Sequence, residues 1–217
     1  MTQITPERFK DAFLQVVSAR ETDLLTRWDA PYDYTLFMQH TVLAEIAPLL
    51  GLEYFPEYYK IDGIYFAERD LEHFAQGSTY ATSLSVALEH ENDIRYSAHE
   101  VNKLQLYNTP LKVLITYSTG GPEAKPDIVA AEHKFYLERY AKILRKGDIF
   151  NDFASLRRHL IIFGSVQKVE GNYPVKWEFY AYESSGFQEL NACPVTLSSS
   201  DNPRAGHGIS PKFLDRL

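Results

Sequence analysis

The stretch Ser83-Leu84-Ser85-Val86-Ala87-Leu88-Glu89-His90-Glu91-Asn92 decides how this chain folds. It is read together with Tyr59-Lys60-Ile61-Asp62-Gly63-Ile64-Tyr65-Phe66 upstream. Side chains alternate along an extended strand, so Ser85, Ala87, Glu89 and Glu91 share one face while Val86, Leu88 and His90 share the other. Glu89 and Glu91 close one strand, and Asp62 stands on a neighbouring one. Together they would present an all-oxygen donor set of the kind that hard divalent cations such as magnesium and manganese prefer. His90 faces away from the acids and is expected to be a packed or hydrogen-bonded scaffold residue.

Outward from this pair of strands, the chain alternates between helical and extended patterns. Thr5-Pro6-Glu7 reads as N-cap, first-turn proline and first-turn acid of a helix that turns Phe9, Phe13 and Val16/Val17 inward. Trp28-Asp29-Ala30-Pro31 breaks that helix. A second helix is expected to carry Leu36, His40, Leu43/Ala44 and Ala47 on one side, with Glu45 off the stripe, and to end at Pro48 and Gly51. Residues 58–67 and 80–91 read as strands. A helix capped by Asn92 or Asp93 is expected to run to about Tyr107, with Ile94, Ala98, Val101 and Gln105 or Leu104 inward. Leu111 to Tyr117 reads as a buried strand and Ser118-Thr119-Gly120-Gly121-Pro122 as a loop. A long helix ending at Gly147 follows, with Val129, Tyr136, Tyr140 and Ile143 at helical spacing. Two further strands are expected over 159–167 and 175–182, the second after a Gly171-Asn172 turn. This order predicts an α/β fold with a central mixed β-sheet flanked by helices, because a strand–helix–strand crossover favours parallel pairing. Residues 1–193 are expected to form a single α/β domain, and 194–217 a polar tail or arm.

The composition suits such a domain. The 217 residues are 45% apolar, and 15 Tyr and 13 Phe supply broad packing layers. The lone cysteine, Cys193, excludes an intrachain disulfide and fits a reducing cytoplasm. The N-terminus lacks a signal-peptide pattern, and no apolar run reaches membrane-spanning length, so a cytoplasmic protein without a membrane partner is expected. The net charge of −7 disfavours a nucleic-acid partner, because that affinity comes largely from cations neutralising phosphates. The short basic clusters Arg145-Lys146 and Arg157-Arg158-His159 read as solvated helix ends. A protein partner or a second copy of the chain remains open.

With these pieces in order, the chain resembles the restriction-endonuclease-like, PD-(D/E)XK phosphodiesterase superfamily. The matching elements are Glu45 on a helix, Ile61-Asp62-Gly63 on the Asp strand and Ala87-Leu88-Glu89-His90-Glu91 on the Glu strand. The helix over 93–107 and the strand over 111–117 complete a core of about 35–118. The resemblance implies a restriction-endonuclease-like core and a magnesium- or manganese-dependent nuclease hydrolysing the phosphodiester bonds of nucleic acid. Asp62 and Glu89 would hold the metal. Glu91 takes the place usually held by lysine, and would act as a further ligand or as general base. Lys60, two residues before Asp62 and so on the same strand face, is the first candidate to replace the missing cation, as a catalytic residue beside Asp62, Glu89 and Glu91. Lys103, opposite Ile94 by helical angle, is expected to point to solvent. Gly63 would make room for a backbone or ligand, or mark a bulge.

Two other readings stand beside this one. A degenerate member of the same fold would serve in protein interaction or regulation, which suits the missing lysine and the acidic charge. In an unrelated α/β protein the three acids would be solvated residues at a sheet's end; against that, Glu is depleted in strands and neighbouring like charges are destabilising. Other chemistries do worse. His99-Glu100-Val101-Asn102-Lys103 lacks the second histidine of a zinc helix, and there is no phosphate-binding loop, dinucleotide turn or Gly-x-Ser-x-Gly elbow.

Overall fold

The computed structural model describes residues 4–73, 79–147, 158–166, 174–183 and 186–190. Four α-helices come first among the described residues: α1 (Pro6–Ala19), α2 (Glu21–Arg27), α3 (Pro31–Phe37) and α4 (Leu43–Leu50). Thr5 caps α1 by accepting the Arg8 N–H, and Pro6 occupies the first turn, where its missing N–H costs nothing.

Between α3 and α4, a π-helical turn over Met38–Val42 inserts an extra residue. Each residue advances a helix by about 100°, so the insertion rotates everything after it. The buried set becomes Met38, Gln39, Val42, Leu43, Ile46, Ala47 and Leu50, and His40, expected inward, is exposed. Pro48 does not end the helix but lies inside α4, which closes on Gly51 in the left-handed conformation (φ 69°).

Nine strands follow among the described residues: β1 (Glu53–Tyr58), β2 (Ile61–Phe66), β3 (Leu71–His73), β4 (Thr79–Ala81), β5 (Val86–Glu91), β6 (Leu111–Tyr117), β7 (Arg158–Val166), β8 (Val175–Glu183) and β9 (Gly186–Glu189). Seven of them form one mixed sheet in the order β1-β2-β5-β6-β7-β8-β9. The β5–β6 and β6–β7 pairs are parallel and the remaining pairs antiparallel. The two parallel crossovers carry α5 (Ser97–Leu104) and α6 (Pro126–Gly147), as parallel pairing requires. The fold is therefore α/β, with a central mixed sheet flanked by helices.

Each face of the sheet has its own core. Tyr65, Val86, Leu88, Val113, Ile115 and Ile162 pack under α1–α4. Ile64, Ala87, Leu114, Ile161 and Phe163 pack with Val101, Leu104, Tyr136 and Tyr140 from α5 and α6. This alternation along β5 and β6 sets Glu89 on the α5/α6 face and His90 on the other.

Three expected elements differ. Residues 58–67 do not form one strand: a hairpin brings β1 and β2 together, with Tyr58 paired to Ile61 and Tyr59-Lys60 as its loop. Residues 80–91 divide into β4, which pairs with β3, and β5, which enters the main sheet. The expected helix over 93–107 contracts to Ser97–Leu104. Asp93 spends its side chain on the Arg95 N–H instead of capping that helix. The expected Gly171-Asn172 turn, Cys193 and the 194–217 tail lie outside the described residues. No helix among the described residues is long and apolar enough to cross a membrane.

Candidate functional site

The acids meet where β2 begins and β5 ends. The antiparallel register pairs Gly63 with Leu88, and continuing it by one residue sets Asp62 opposite Glu89. The backbone N–H of His90 donates to Asp62 Oδ2 at 2.8 Å, which ties the carboxylate to the neighbouring strand. Glu89 is wholly buried, whereas Asp62 is half-buried and marks the side open to solvent.

Two carboxylates directly across a ladder repel, and burial removes the water that would screen them. Burial and the Asp62 charge push the Glu89 carboxyl up to about 9, against the pull of the Lys103 ammonium. Asp62 is also raised by burial, although the His90 N–H and a hydrogen bond with Glu89 draw it back. At neutral pH the pair therefore holds a proton.

The cation that meets this charge is Lys103. Its Nζ lies 2.8 Å from Glu89 Oε2 and 2.5 Å from Glu100 Oε2, one turn back on α5. Burial pulls its pKa down, but hydrogen bonds to Glu100 and Glu89 raise it above the ordinary lysine value. This corrects the expectation that Lys103 points to solvent. Ile94 precedes α5 and is no reference for its helical angle, but the angle within α5 does not reveal the contact either: Lys103 stands about 100° from the buried Leu104 and about 160° from Val101. From there a four-carbon stem reaches back to the sheet.

Lys60 does not occupy the strand face of Asp62. It sits in the β1–β2 loop with φ 65°, beside Tyr59 at φ 46°. Strand alternation does not carry through a turn, and Lys60 is exposed, with no ion pair to either acid among the described residues. Glu91 is on the expected face, and burial raises its pKa, but its Oε1 accepts the Asp93 N–H at 2.9 Å. That bond closes the turn leading to α5. Glu45 is held elsewhere, in a two-point ion pair with Arg20.

His90 is the scaffold residue expected: its Nε2 lies 2.8 Å from the Tyr117 hydroxyl, and Tyr34 donates to Tyr117 at 3.0 Å. Burial lowers its pKa to about 4, so the ring is neutral. Gly63 makes room for neither a ligand nor a backbone. A Cβ there would fall 2.7 Å from Cε2 of Tyr54, whose ring covers the glycine from β1.

Among the described residues no group of three or more His, Cys, Asp or Glu is gathered as a metal site. The convergent set is two acids, Asp62 and Glu89, with Lys103 and Glu100 behind Glu89. Carboxylate oxygens are the donor type that magnesium takes. That ion uses one or two carboxylates and keeps several waters for substrate phosphates to replace. No family model matches the chain, and no curated protein is significantly similar to it.

Proposed function

We propose that the chain is a restriction-endonuclease-like phosphodiesterase that uses magnesium or manganese to hydrolyse nucleic acid. The observation that carries this reading is the Asp62–Glu89 pair, set opposite one another on β2 and β5 and backed by Lys103. The arrangement around the pair supports it. A β1-β2-β5 antiparallel meander is followed by α5 and the parallel strand β6, the order expected of that core.

Asp62 and Glu89 would hold the cation, which supplies Lewis-acid polarisation of the phosphate and a more acidic water. Glu89 gives up its proton when the site is loaded. Asp62 keeps its position through the His90 N–H. Lys103 takes the part first assigned to Lys60, placing a fixed positive charge beside Glu89 where the family pattern has a lysine and this chain has Glu91. Glu91 serves the turn into α5.

The test is cleavage of end-labelled single- and double-stranded DNA and RNA, with and without millimolar magnesium or manganese. Asp62→Asn and Glu89→Gln are expected to abolish cutting, and Lys103→Met to lower its rate by about 100-fold, while Lys60→Ala leaves it intact. Wild-type protein that neither cuts any of the four substrates nor binds either cation refutes the assignment.

A second reading has its own observation. Lys103 already neutralises the site from within, as in an inert module of this fold that works through protein contacts. In that case Lys103→Met destabilises the fold and no divalent ion binds.

A further inference from the structure

A second constellation lies at the carboxyl end of β6, away from the carboxylate pair. Ser118 follows the last residue of that strand, anchored by its N–H to the Gly164 carbonyl at 3.1 Å. Its Oγ lies 2.6 Å from Nε2 of His133 on α6. On the other side of the ring, Nδ1 lies 2.7 Å from Oε2 of Glu178 on β8. His133 is 1% exposed and its ring stacks on Phe163, with 4.2 Å between centroids and 14° between planes. Lys176 donates to the other oxygen of Glu178 at 2.8 Å. The His133 ring above all, with help from Lys176, holds the Glu178 carboxyl down to about 2.

Hydroxyl, imidazole and carboxylate thus follow one another at 2.6 and 2.7 Å, the second contact a close pairing of charge rather than an aligned hydrogen bond. A permanently ionised Glu178 draws the ring proton to Nδ1, which leaves Nε2 as an acceptor aimed at the serine O–H. That is the geometry by which an adjacent base activates a serine, with a third group orienting the base. Ser118 itself is half-buried. A further donor stands next to it. The parallel register pairs Tyr117 with Gly164, and continuing it by one residue sets Ser118 beside Ser165. The Ser165 hydroxyl is buried and has no hydrogen-bond partner among the described residues. The ends of parallel strands are also where open α/β sheets bind ligands.

We propose that Ser118, His133 and Glu178 form a nucleophilic site that accepts the acyl group of small activated carboxylic esters. The Ser118 Oγ bonds to the ester carbonyl carbon as its proton passes to His133 Nε2, and the carbonyl π electrons move onto oxygen beside Ser165. Collapse of that adduct breaks the bond to the alcohol oxygen, which takes the proton from His133. Water then repeats the sequence with His133 as base, releasing the carboxylic acid and restoring the serine. Glu178 touches no substrate and is a positioning residue.

The test uses the full chain, a fluorophosphonate probe and p-nitrophenyl acetate, in EDTA so that the carboxylate site plays no part. One adduct per chain, mapped to Ser118, is expected, with a burst of p-nitrophenol of matching size. Ser118→Ala, which changes little volume, should retain the native far-UV circular dichroism and lose both signals. His133→Gln should slow labelling by about 100-fold or more, and Glu178→Gln should shift the pH profile of labelling downward, since the anion that favours the protonated ring is gone. If His133→Gln does not fold, the Glu178→Gln profile carries the comparison. Folded wild-type protein that forms no adduct, an adduct at another residue, or a Glu178→Gln profile identical to wild type overturns the proposal.

Discussion

Lys103 and Glu89 illustrate how far a single contact changes the meaning of a residue. Both are unremarkable in the sequence, one on a helix and one at a strand end. Their 2.8 Å approach sets an ammonium against a buried acid. The proton on Glu89 makes stability depend on pH. Its native pKa is raised from 4.5 to about 9, so the folded state holds the proton more tightly than the unfolded chain does. The contribution is complete below about 4.5 and is lost as pH rises towards 9. Thermal melts from pH 5 to 9 should therefore show a falling midpoint in the wild type and a flatter profile in Glu89→Gln. The loop residues offer a second measurement. Tyr59 and Lys60 both adopt positive φ in a two-residue hairpin loop, the place where Asn-Gly is favoured. Replacing Tyr59-Lys60 by Asn-Gly is expected to stabilise the protein by about 1 kcal/mol in urea unfolding, since it removes left-handed strain from two ordinary residues. Because Lys60 lies off the site, the same variant should keep any metal-dependent activity.

Elements whose signals are local were readable in the chain. The Thr5-Pro6 start of α1, the buried run of β6, the helical spacing of α6 and the paired strands β7 and β8 all come from side-chain patterns within one segment. The first hairpin was not readable, because Tyr59-Lys60 carries no turn residue and the aromatic pattern runs through it. The π-turn escaped for a related reason: periodicity assumes a constant rotation per residue, and one inserted residue moved His40 out and Met38 and Gln39 in. In β7, Gly164 shows an element under a constraint imposed from its neighbours. A Cβ there would lie 2.6 Å from Cδ1 of Tyr117 and 2.9 Å from Cζ3 of Trp177. Tyr117 cannot swing aside easily, since its hydroxyl joins Tyr34 and His90. Gly164→Ala should destabilise by roughly 1–3 kcal/mol, seen as a lower urea midpoint with an unchanged slope.

Across the whole molecule, the sheet order β1-β2-β5-β6-β7-β8-β9 separates two cores and delivers the carboxylate pair to the α5/α6 side. Loading that pair with a divalent ion would require Glu89 to release its proton. Magnesium or manganese titrations are therefore expected to tighten from pH 6 to 9, and calorimetry in buffers of different ionisation enthalpy should report about one proton released per ion. Binding that is independent of pH would place the ion elsewhere. The α/β class, the mixed sheet and the shared face of Glu89 and Glu91 follow from the sequence alone, because strand alternation and helical period are properties of a single segment. The register that sets Asp62 opposite Glu89 depends on pairing between segments. So do the choice of Lys103 over Lys60 and the meeting of Ser118 with His133 and Glu178. These come from the folded chain, since which side chains face one another across a packed interface is decided by how sheet and helices dock, and no single segment encodes it.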